Sequence, residues 1–323
     1  MKRIALFWLI VAALAVGWAA SAAYAPRLAV EGVMYSSILA LASVGLTMTY
    51  QTTKVPNFAH GAVMGIGILA ALALSQRFGL SPYLAGLAAL PFAVVASVAL
   101  YYTLMPIYRR GSSPIILMMA SMAYNIILLG ALNATADYLG RAWGVFTRSY
   151  TLRGADFSIG DVQGLAVVGS SMVAAVSIVM YLFLTKTKLG VALRAAVENE
   201  ELARSLGINV DRAYLAAWAI AGALAGYSGS LLTLYLTVEP DTGWMMLAGI
   251  FAASIAGGLN SVFGAVLGAY LMGFVEVPLA TYAAYAVAVE PYQLLQYRPL
   301  LPLIAVAVFL IVIPQGLTSL RKK

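Results

Sequence analysis

The chain has 323 residues, of which 63% are hydrophobic and only 10% are charged, and its mean hydropathy is +0.92. This composition excludes an ordinary soluble domain and is typical of a membrane protein, in which about 20 apolar residues form one spanning helix. Zero cysteines exclude disulfides and thiolate chemistry, and a single histidine excludes a multi-histidine metal cluster. We therefore expect an all-α polytopic membrane protein, with residues 1–323 forming one transmembrane domain.

Ten apolar stretches predict the membrane-embedded helices, and about eight to ten of them are expected to span the bilayer. They lie near residues 4–25, 30–50, 57–75, 83–105, 113–135, 163–185, 213–236, 243–257, 261–283 and 299–315.

Two of these stretches have a second interpretation. Residues 1–25 resemble a signal peptide that ends in Ala23-Tyr24-Ala25, but Pro26 disfavours cleavage, so we expect an uncleaved N-terminal anchor helix. Residues 243–257 are short for a crossing and end in two glycines, so they form either a span or a broken, re-entrant helix.

The net charge of +7 comes from basic residues that separate the apolar stretches, which favours an orientation signal over a nucleic-acid surface. If both termini are cytoplasmic, 13 of the 19 Lys and Arg residues lie on the cytoplasmic side. The other six are Arg27, Arg77, Arg141, Arg148, Arg153 and Arg298. We therefore predict a multi-pass protein of the plasma (inner) membrane, with no nucleic-acid partner.

One internal similarity suggests a repeat, because Asn57–Gly65 aligns without gaps with Asn260–Gly268. Both segments open a span that runs in the same direction, so the similarity indicates either a parallel duplication or only two small-residue packing faces. The glycines expected at such helix-packing faces are Gly222, Gly226, Gly257, Gly258, Gly264 and Gly268.

Gly226-Tyr227-Ser228-Gly229 also matches the Gly-x-Ser-Gly pattern of intramembrane serine proteases. Ser228 is expected roughly 22 Å from the cytoplasmic start of its span, at 1.5 Å per residue. His60 is expected only three residues into its own span, so it lies too far away to act as the base. We therefore interpret these glycines as a packing face.

The polar stretch at residues 186–212 predicts two short helices on the cytoplasmic side. Asn199 is the expected cap of the second helix, Glu200 precedes Arg204 by four residues, and Gly207 is the expected stop. Its small apolar surface must either pack on this protein or enter a groove on a soluble partner. That surface comprises Ala192, Ala195, Ala196, Leu202, Ala203 and Leu206.

Four polar or small residues near the membrane are candidates for the transport pathway or its gate. Asn57 either caps the start of a span or lines the pathway. His60 and Gly61 follow it, and an ionisable side chain in a span is a functional candidate by default. Glu276 is costly at membrane depth without a partner, so it either makes a structural hydrogen bond or contacts substrate. We expect no catalytic residue and no metal site.

Four stretches follow the order of a known family over residues 30–317. They are Gly45–Tyr50 with Val55–Gly61, the segment Gly190–Arg212, Phe251–Ala265 and Pro314–Leu317. They resemble the permease subunit of ABC importers for branched-chain amino acids. Ala62 stands where many members have an acid, so no role of that acid is carried over.

This resemblance implies a type II ABC importer-like permease in which residues 186–212 form the ATPase-coupling loop. The family pattern places coupling positions at Gly190, Arg194, Ala195, Asn199, Ala203, Gly207 and Ile208. It also implies two ATPase subunits that bind Mg-ATP, a second identical or related permease, and an extracytoplasmic substrate-binding protein. No cofactor is expected on this chain, which lacks the Gly-x-x-x-x-Gly-Lys-Ser/Thr loop.

The resemblance implies leucine, isoleucine and valine as substrates, with alternating access driven by the partner ATPase. Permeases for urea, short amides or sugars are alternatives, because related proteins on one fold transport different compounds. An ATP-independent channel is a further alternative, but a channel has no use for a capped, partly apolar cytoplasmic helix pair.

Overall fold

The structure of the chain is a computed structural model that describes residues 2–286, 300–313 and 316–320. Several sequence predictions therefore lie partly outside the described residues. These are the two ends of the predicted span near 299–315, Pro314 and Gln315 of the closing motif, and the charges at Arg298, Arg321, Lys322 and Lys323.

The described residues form fourteen α-helices. They are α1 (Lys2–Tyr24), α2 (Pro26–Thr53), α3 (His60–Phe78), α4 (Pro82–Arg109), α5 (Pro114–Trp143), α6 (Gly164–Lys186), α7 (Lys188–Glu198), α8 (Glu200–Ser205), α9 (Val210–Leu232), α10 (Thr242–Met245), α11 (Leu247–Gly257), α12 (Val262–Phe274), α13 (Ala280–Ala286) and α14 (Leu301–Val312). Between α5 and α6 a 3₁₀ turn (Arg153–Ala155) precedes an antiparallel hairpin of β1 (Ser158–Ile159) and β2 (Val162–Gln163). A π-helical turn (Val275–Leu279) joins α12 to α13, and a 3₁₀ turn (Leu317–Leu320) follows α14.

Among the described residues, eight helical segments are long and apolar enough to cross a membrane, which confirms the predicted all-α polytopic fold. They are α1 to α6, α9, and α12 continued into α13. The remaining two predicted stretches correspond to the shorter apolar helices Thr242–Gly257 and Leu301–Ile311. The first of these is divided into α10 and α11 at Met246, whose backbone stays right-handed, and whether it is a span or a re-entrant helix stays a prediction.

Proline and glycine set several helix boundaries. Pro82 and Pro114 occupy the first turns of α4 and α5, where a missing N–H costs nothing because it has no helical acceptor. Gly79 and Gly144 end α3 and α5 with φ near +66°, the left-handed conformation that glycine adopts without strain. These local signals explain why α4 and α5 begin close to the predicted starts near residues 83 and 113, whereas α5 continues to Trp143, past its predicted end near residue 135.

The chain divides into two compact units. The first comprises Met1–Val44, Phe157–Val173 and Ala248–Lys323, and the second comprises Gly45–Asp156 and Ala174–Leu247.

In the second unit, α3, α4 and α9 pack on one another along their lengths. Val63, Ala93 and Ala225 form a buried cluster between them. A methyl group at Gly67 would overlap the carbonyl oxygen of Gly226, so the backbones of α3 and α9 approach directly. Such approach is how small residues let membrane helices associate through van der Waals contact.

In the first unit, α1 packs on α12 through aromatic rings. The ring of Trp18 meets Phe274 at 5.4 Å and Tyr270 at 6.4 Å between centroids, both in edge-on geometry. Near the other end of α1, Phe7 joins a buried cluster with Ile313 and Leu317. The predicted anchor helix is therefore packed against this unit, while its retention after membrane insertion stays a prediction.

Candidate functional site

The polar segment between α6 and α9 folds into the two short helices that its sequence predicts. Thr187 caps α7, because its Oγ1 accepts a hydrogen bond from the Gly190 N–H at 3.0 Å. Asn199 caps α8, because its Oδ1 accepts from the N–H three residues later at 3.0 Å. Gly207, at φ +79°, stops α8. The expected cap and stop of the second helix are confirmed, and the first helix begins directly after its own cap at Thr187.

The end of α8 is closed by two backbone hydrogen bonds. The Ile208 N–H donates to the carbonyl of Ala203 and the Gly207 N–H donates to the carbonyl of Arg204, each at 3.0 Å. This pair of bonds is the Schellman motif, which requires a left-handed residue at the glycine position. Gly207 and Ile208 therefore shape the turn that leads from α8 into α9.

One set of apolar residues in this segment packs on the protein itself. Leu193, Ala196 and Ala203 are no more than 2% exposed, and α7 lies against α9. A methyl group at Gly190 would overlap the carbonyl of Phe183 near the end of α6. The segment is therefore held to the membrane helices by a buried face.

A second set of apolar residues is exposed, and we call it the α7–α8 face. Leu189, Val191, Leu202 and Leu206 are 43%, 46%, 56% and 72% exposed. Arg194 is also exposed on α7, and Ala195 beside it is partly buried. The sequence left two interpretations of the apolar surface, packing on this protein or contact with a soluble partner. The structure divides the residues between them, because one set packs internally and the other is uncovered.

Four charged side chains form what we call the inner ion cluster. The Oδ1 atom of Asp211 lies 2.6 Å from Arg109 Nη2 and 2.9 Å from Arg204 Nη2. Arg204 also pairs with Glu200 at 2.9 Å, four residues before it on α8. Hydrogen bonds with Asp211 and Glu200 raise the pKa of the Arg204 guanidinium above its usual value. The cluster brings together α4, α8 and α9.

Three tyrosines surround the inner ion cluster. The hydroxyls of Tyr108 and Tyr214 donate to Glu200 Oε2 at 3.1 and 3.3 Å, and the hydroxyl of Tyr101 donates to the Asp211 carbonyl at 3.1 Å. Glu200 is thereby bonded to side chains on both α4 and α9. These neutral donors add directional bonds to the ion pairs.

The start of α3 brings together three of the predicted pathway candidates. The prediction that Asn57 caps this span is wrong, because α3 begins at His60 after Ala59 at the N-cap, and no side chain caps it. The Oδ1 of the buried Asn57 instead accepts from the Ala59 N–H at 3.0 Å, in the turn before the helix. His60, 2% exposed, packs against α2, where a methyl group at Gly45 would lie 3.0 Å from its Cε1. Gly61 faces the carbonyl of Gly243 before the break between α10 and α11. A role of these residues in the pathway stays a prediction.

Glu276, the fourth pathway candidate, belongs to the first unit. It is 5% exposed, lies in the π-helical turn, and accepts a 2.7 Å hydrogen bond from the Tyr35 hydroxyl. This bond is of the kind that the structural interpretation of Glu276 requires, because a buried carboxylate needs a donor, and contact with substrate stays a prediction. The described residues contain no group of three or more His, Cys, Asp or Glu side chains that could hold a metal.

The predicted packing glycines lie at close helix contacts. In the second unit, methyl groups at Gly222 and Gly226 would lie 2.7 Å from the Ala93 carbonyl oxygen and 2.5 Å from the Ala93 Cβ. Ser228 donates to the Ala225 carbonyl of its own helix at 2.8 Å, as a packing residue does. α9 therefore uses these glycines to approach α4.

In the first unit, the backbones of Gly257 and Gly264 are in direct contact, and Gly268 lies against the Ala253 carbonyl. Gly258 has φ +100°, which only glycine adopts readily, and it ends α11. Each half of the proposed repeat thus packs a glycine face on a short helix: Gly61 on α10, and Gly264 on α11.

Residues 28–313 match the family described as "Branched-chain amino acid transport system / permease component". The chain belongs to this family. It is therefore a multi-pass membrane transport subunit and not an enzyme.

Two curated relatives are similar over most of their length. A probable branched-chain amino acid transport permease protein LivH of Methanocaldococcus jannaschii is 37% identical over 92% of this chain and 94% of its own length. The high-affinity branched-chain amino acid transport system permease protein BraD of Pseudomonas aeruginosa is 30% identical over 76% of this chain and 83% of its own. Among solved structures, one chain of PsaBC from Streptococcus pneumoniae in complex with Fab is similar over 94% of this chain and 99% of its own length, with a TM-score of 0.49 and 14% identity.

Sequence reasoning missed two contacts that organise the second unit of this permease. The Trp218 Nε1–H donates to Thr52 Oγ1 at 2.9 Å, which ties α9 to α2. Near the C-terminal end of α3, the side-chain amide of Gln76 donates to the Phe146 carbonyl at 2.7 Å and accepts from the Phe146 N–H at 2.8 Å. Both pairs are far apart in the chain, and no local signal marks either one.

Proposed function

We propose that this chain is the permease subunit of an ATP-driven importer for branched-chain amino acids. Membership of the permease family supports transport, and the names of both relatives give the substrate class. The observation that carries the mechanism is the α7–α8 face, a set of uncovered apolar side chains on a segment in which both helices are capped and a second set of apolar residues is buried. An exposed apolar face of this kind fits a groove on a soluble partner.

The partner that this proposal requires is a cytoplasmic ATPase, which binds Mg-ATP and docks on the α7–α8 face. Two such ATPases act with this chain, a second identical or related permease and an extracytoplasmic binding protein. The complex lies in the plasma (inner) membrane with both termini of this chain cytoplasmic, as the distribution of Lys and Arg favours. Closure of the ATPases moves α7 and α8, and the attached helices alternate access to the pathway.

The ATPase interface is tested by changing the most exposed leucine of the α7–α8 face. Leu206→Glu places a charge in the proposed apolar contact, so copurification of the ATPase and ATP-dependent leucine uptake should both be lost. Leu80→Glu is the matched control, since Leu80 is also exposed, at 37%, but follows α3 at the opposite end of the second unit. Its ATPase association should be retained. Normal ATPase association and uptake with Leu206→Glu would contradict the proposal.

The substrate is tested with the reconstituted complex and its binding protein. Uptake of labelled leucine should require ATP and should be competed by isoleucine and valine, but not by urea, a short amide or a pentose. Competition only by one of the latter compounds would replace the substrate class while leaving the permease assignment intact. Uptake that is independent of ATP would favour a channel instead.

A further inference from the structure

We infer that Asp211 is a positioning residue that clasps α8 to α4 and α9, so that movement of the docked α7–α8 face reaches these two membrane helices. This inference rests on the proposed function, because it concerns how the work of the ATPase enters the permease. Asp211 lies outside the α7–α8 face and is not a docking residue in this proposal.

The clasp is centred on a single carboxylate oxygen. Asp211 Oδ1 accepts from Arg109 of α4 at 2.6 Å and from Arg204 of α8 at 2.9 Å, while its own backbone belongs to the first turn of α9. Two cations on different helices therefore share one acceptor on a third helix. Charge-assisted bonds of this length are stronger and more directional than neutral ones.

The start of α8 is held by the bonds of Glu200 to Tyr108 of α4 and Tyr214 of α9, whereas the end of α8 leads into α9 through a short turn that contains a glycine. Residues 206–209 separate the two helices, and Gly207 has the left-handed backbone of a turn. Such a connection transmits force along the chain but does not by itself position the last turn of α8 on α9. The bond from Arg204 to Asp211 spans this turn and supplies that positioning.

The helices that receive the motion are themselves packed tightly. Ser97 of α4 donates to the Trp218 carbonyl of α9 at 2.7 Å, and Gly222 lies against Ala93 where the same helices cross. A displacement imposed on either helix near Asp211 is therefore shared by both. Packed helices move as bodies, because close-packed interiors deform little.

Stability alone does not account for the arrangement. Asp211 and Arg109 are 43% and 49% exposed, and exposed ion pairs contribute little to folding because water and salt screen them. The chain offers a matched pair for comparison. Arg148 and Asp137 are also bonded, at 2.9 Å, with side chains 43% and 49% exposed, and they join α5 to the loop that follows it.

The experiment compares Asp211→Asn with Asp137→Asn in the complete importer, reconstituted in liposomes with its ATPases, second permease and binding protein. Each substitution removes one negative charge from an equally exposed ion pair. Leucine uptake and ATP hydrolysis are measured on the same vesicles, and ATPase association is measured by copurification. Asp211→Glu serves as the conservative variant.

With Asp211→Asn we expect ATPase association and ATP hydrolysis to persist. The amount of leucine transported per ATP hydrolysed should fall about fivefold or more, because coupling between distant sites typically changes an equilibrium by at least that factor. Asp137→Asn should leave this ratio unchanged, and Asp211→Glu should restore most of it. A normal ratio with Asp211→Asn, an equal loss with Asp137→Asn, or loss of ATPase association with Asp211→Asn would each overturn the inference. If the wild-type complex shows no ATP-dependent uptake, the proposed function itself fails.

Discussion

The bond between Thr52 and Trp218 allows a sharp test of how α2 and α9 are held together. Thr52 is 2% exposed and Trp218 is 1% exposed, and the indole N–H donates to the threonine hydroxyl at 2.9 Å. Thr52→Val keeps the shape of the side chain but removes the acceptor. The indole N–H would then be buried without its bond, so we expect the free energy of unfolding to fall.

The expected loss is about 1–2 kcal/mol, the cost of leaving a buried donor unsatisfied in a membrane protein. The threonine hydroxyl also donates to the Thr49 carbonyl at 2.7 Å, but that carbonyl still accepts bonds of the helix, so this second loss is small. In a Trp218→Phe background the same substitution should cost less, because the donor is already absent.

Thr47 provides a matched control on the same helix. It is fully buried, and its hydroxyl has no hydrogen-bond partner among the residues that the structure describes. Thr47→Val removes an unsatisfied polar group, so stability should be unchanged or should rise by up to about 1 kcal/mol. The two substitutions are thus chemically identical, but only Thr52→Val is predicted to lower the free energy of unfolding.

Both variants can be compared by titrating the purified protein in detergent micelles with sodium dodecyl sulfate and following tryptophan fluorescence. The midpoint and slope of the transition give the free energy of unfolding. A similar loss in Thr52→Val and Thr47→Val, or no loss in either, would refute the reasoning, since hydrogen bonding would then not distinguish the two sites.

Two further predictions concern packing and orientation. Gly67→Ala should lower stability by more than about 2 kcal/mol, because its methyl group would overlap a backbone carbonyl of α9, whereas Gly130→Ala, which meets no atom within 4 Å, should be neutral or stabilising. Equal thermal stability of these two variants would contradict the helix crossing. Because the natural chain has no cysteine, Ser205→Cys and Ser158→Cys give single labelling sites. A membrane-impermeant maleimide should label the former only from the cytoplasm and the latter only from outside, and the reverse pattern would invert the predicted topology.

Local features of the polar segment could be predicted because each depends on neighbouring residues. Asn199 caps the helix that follows it, Glu200 reaches Arg204 one turn later, and Gly207 adopts the conformation that stops the helix. The sequence could not show which apolar residues face inward. Leu193 and Leu202 look alike in the chain, but one is buried against α9 and the other is exposed.

The pathway candidates show the same limit. The sequence indicated that Glu276 needs a partner, but Tyr35 lies 241 residues away, and no spacing rule connects them. The inner ion cluster was likewise only partly foreseeable. The pair of Glu200 with Arg204 follows from helical periodicity, whereas Arg109 reaches Asp211 only because α4 packs on α9.

Composition, the spacing of apolar stretches and a few caps determined that this is an all-α membrane protein with a structured polar segment, because these properties depend on transfer to lipid and on hydrogen bonds between near neighbours. The tertiary structure decided which glycines meet a backbone, which leucines remain exposed, and which carboxylate joins three helices. Those outcomes depend on how helices distant in sequence approach one another, and local propensity contains no information about that approach.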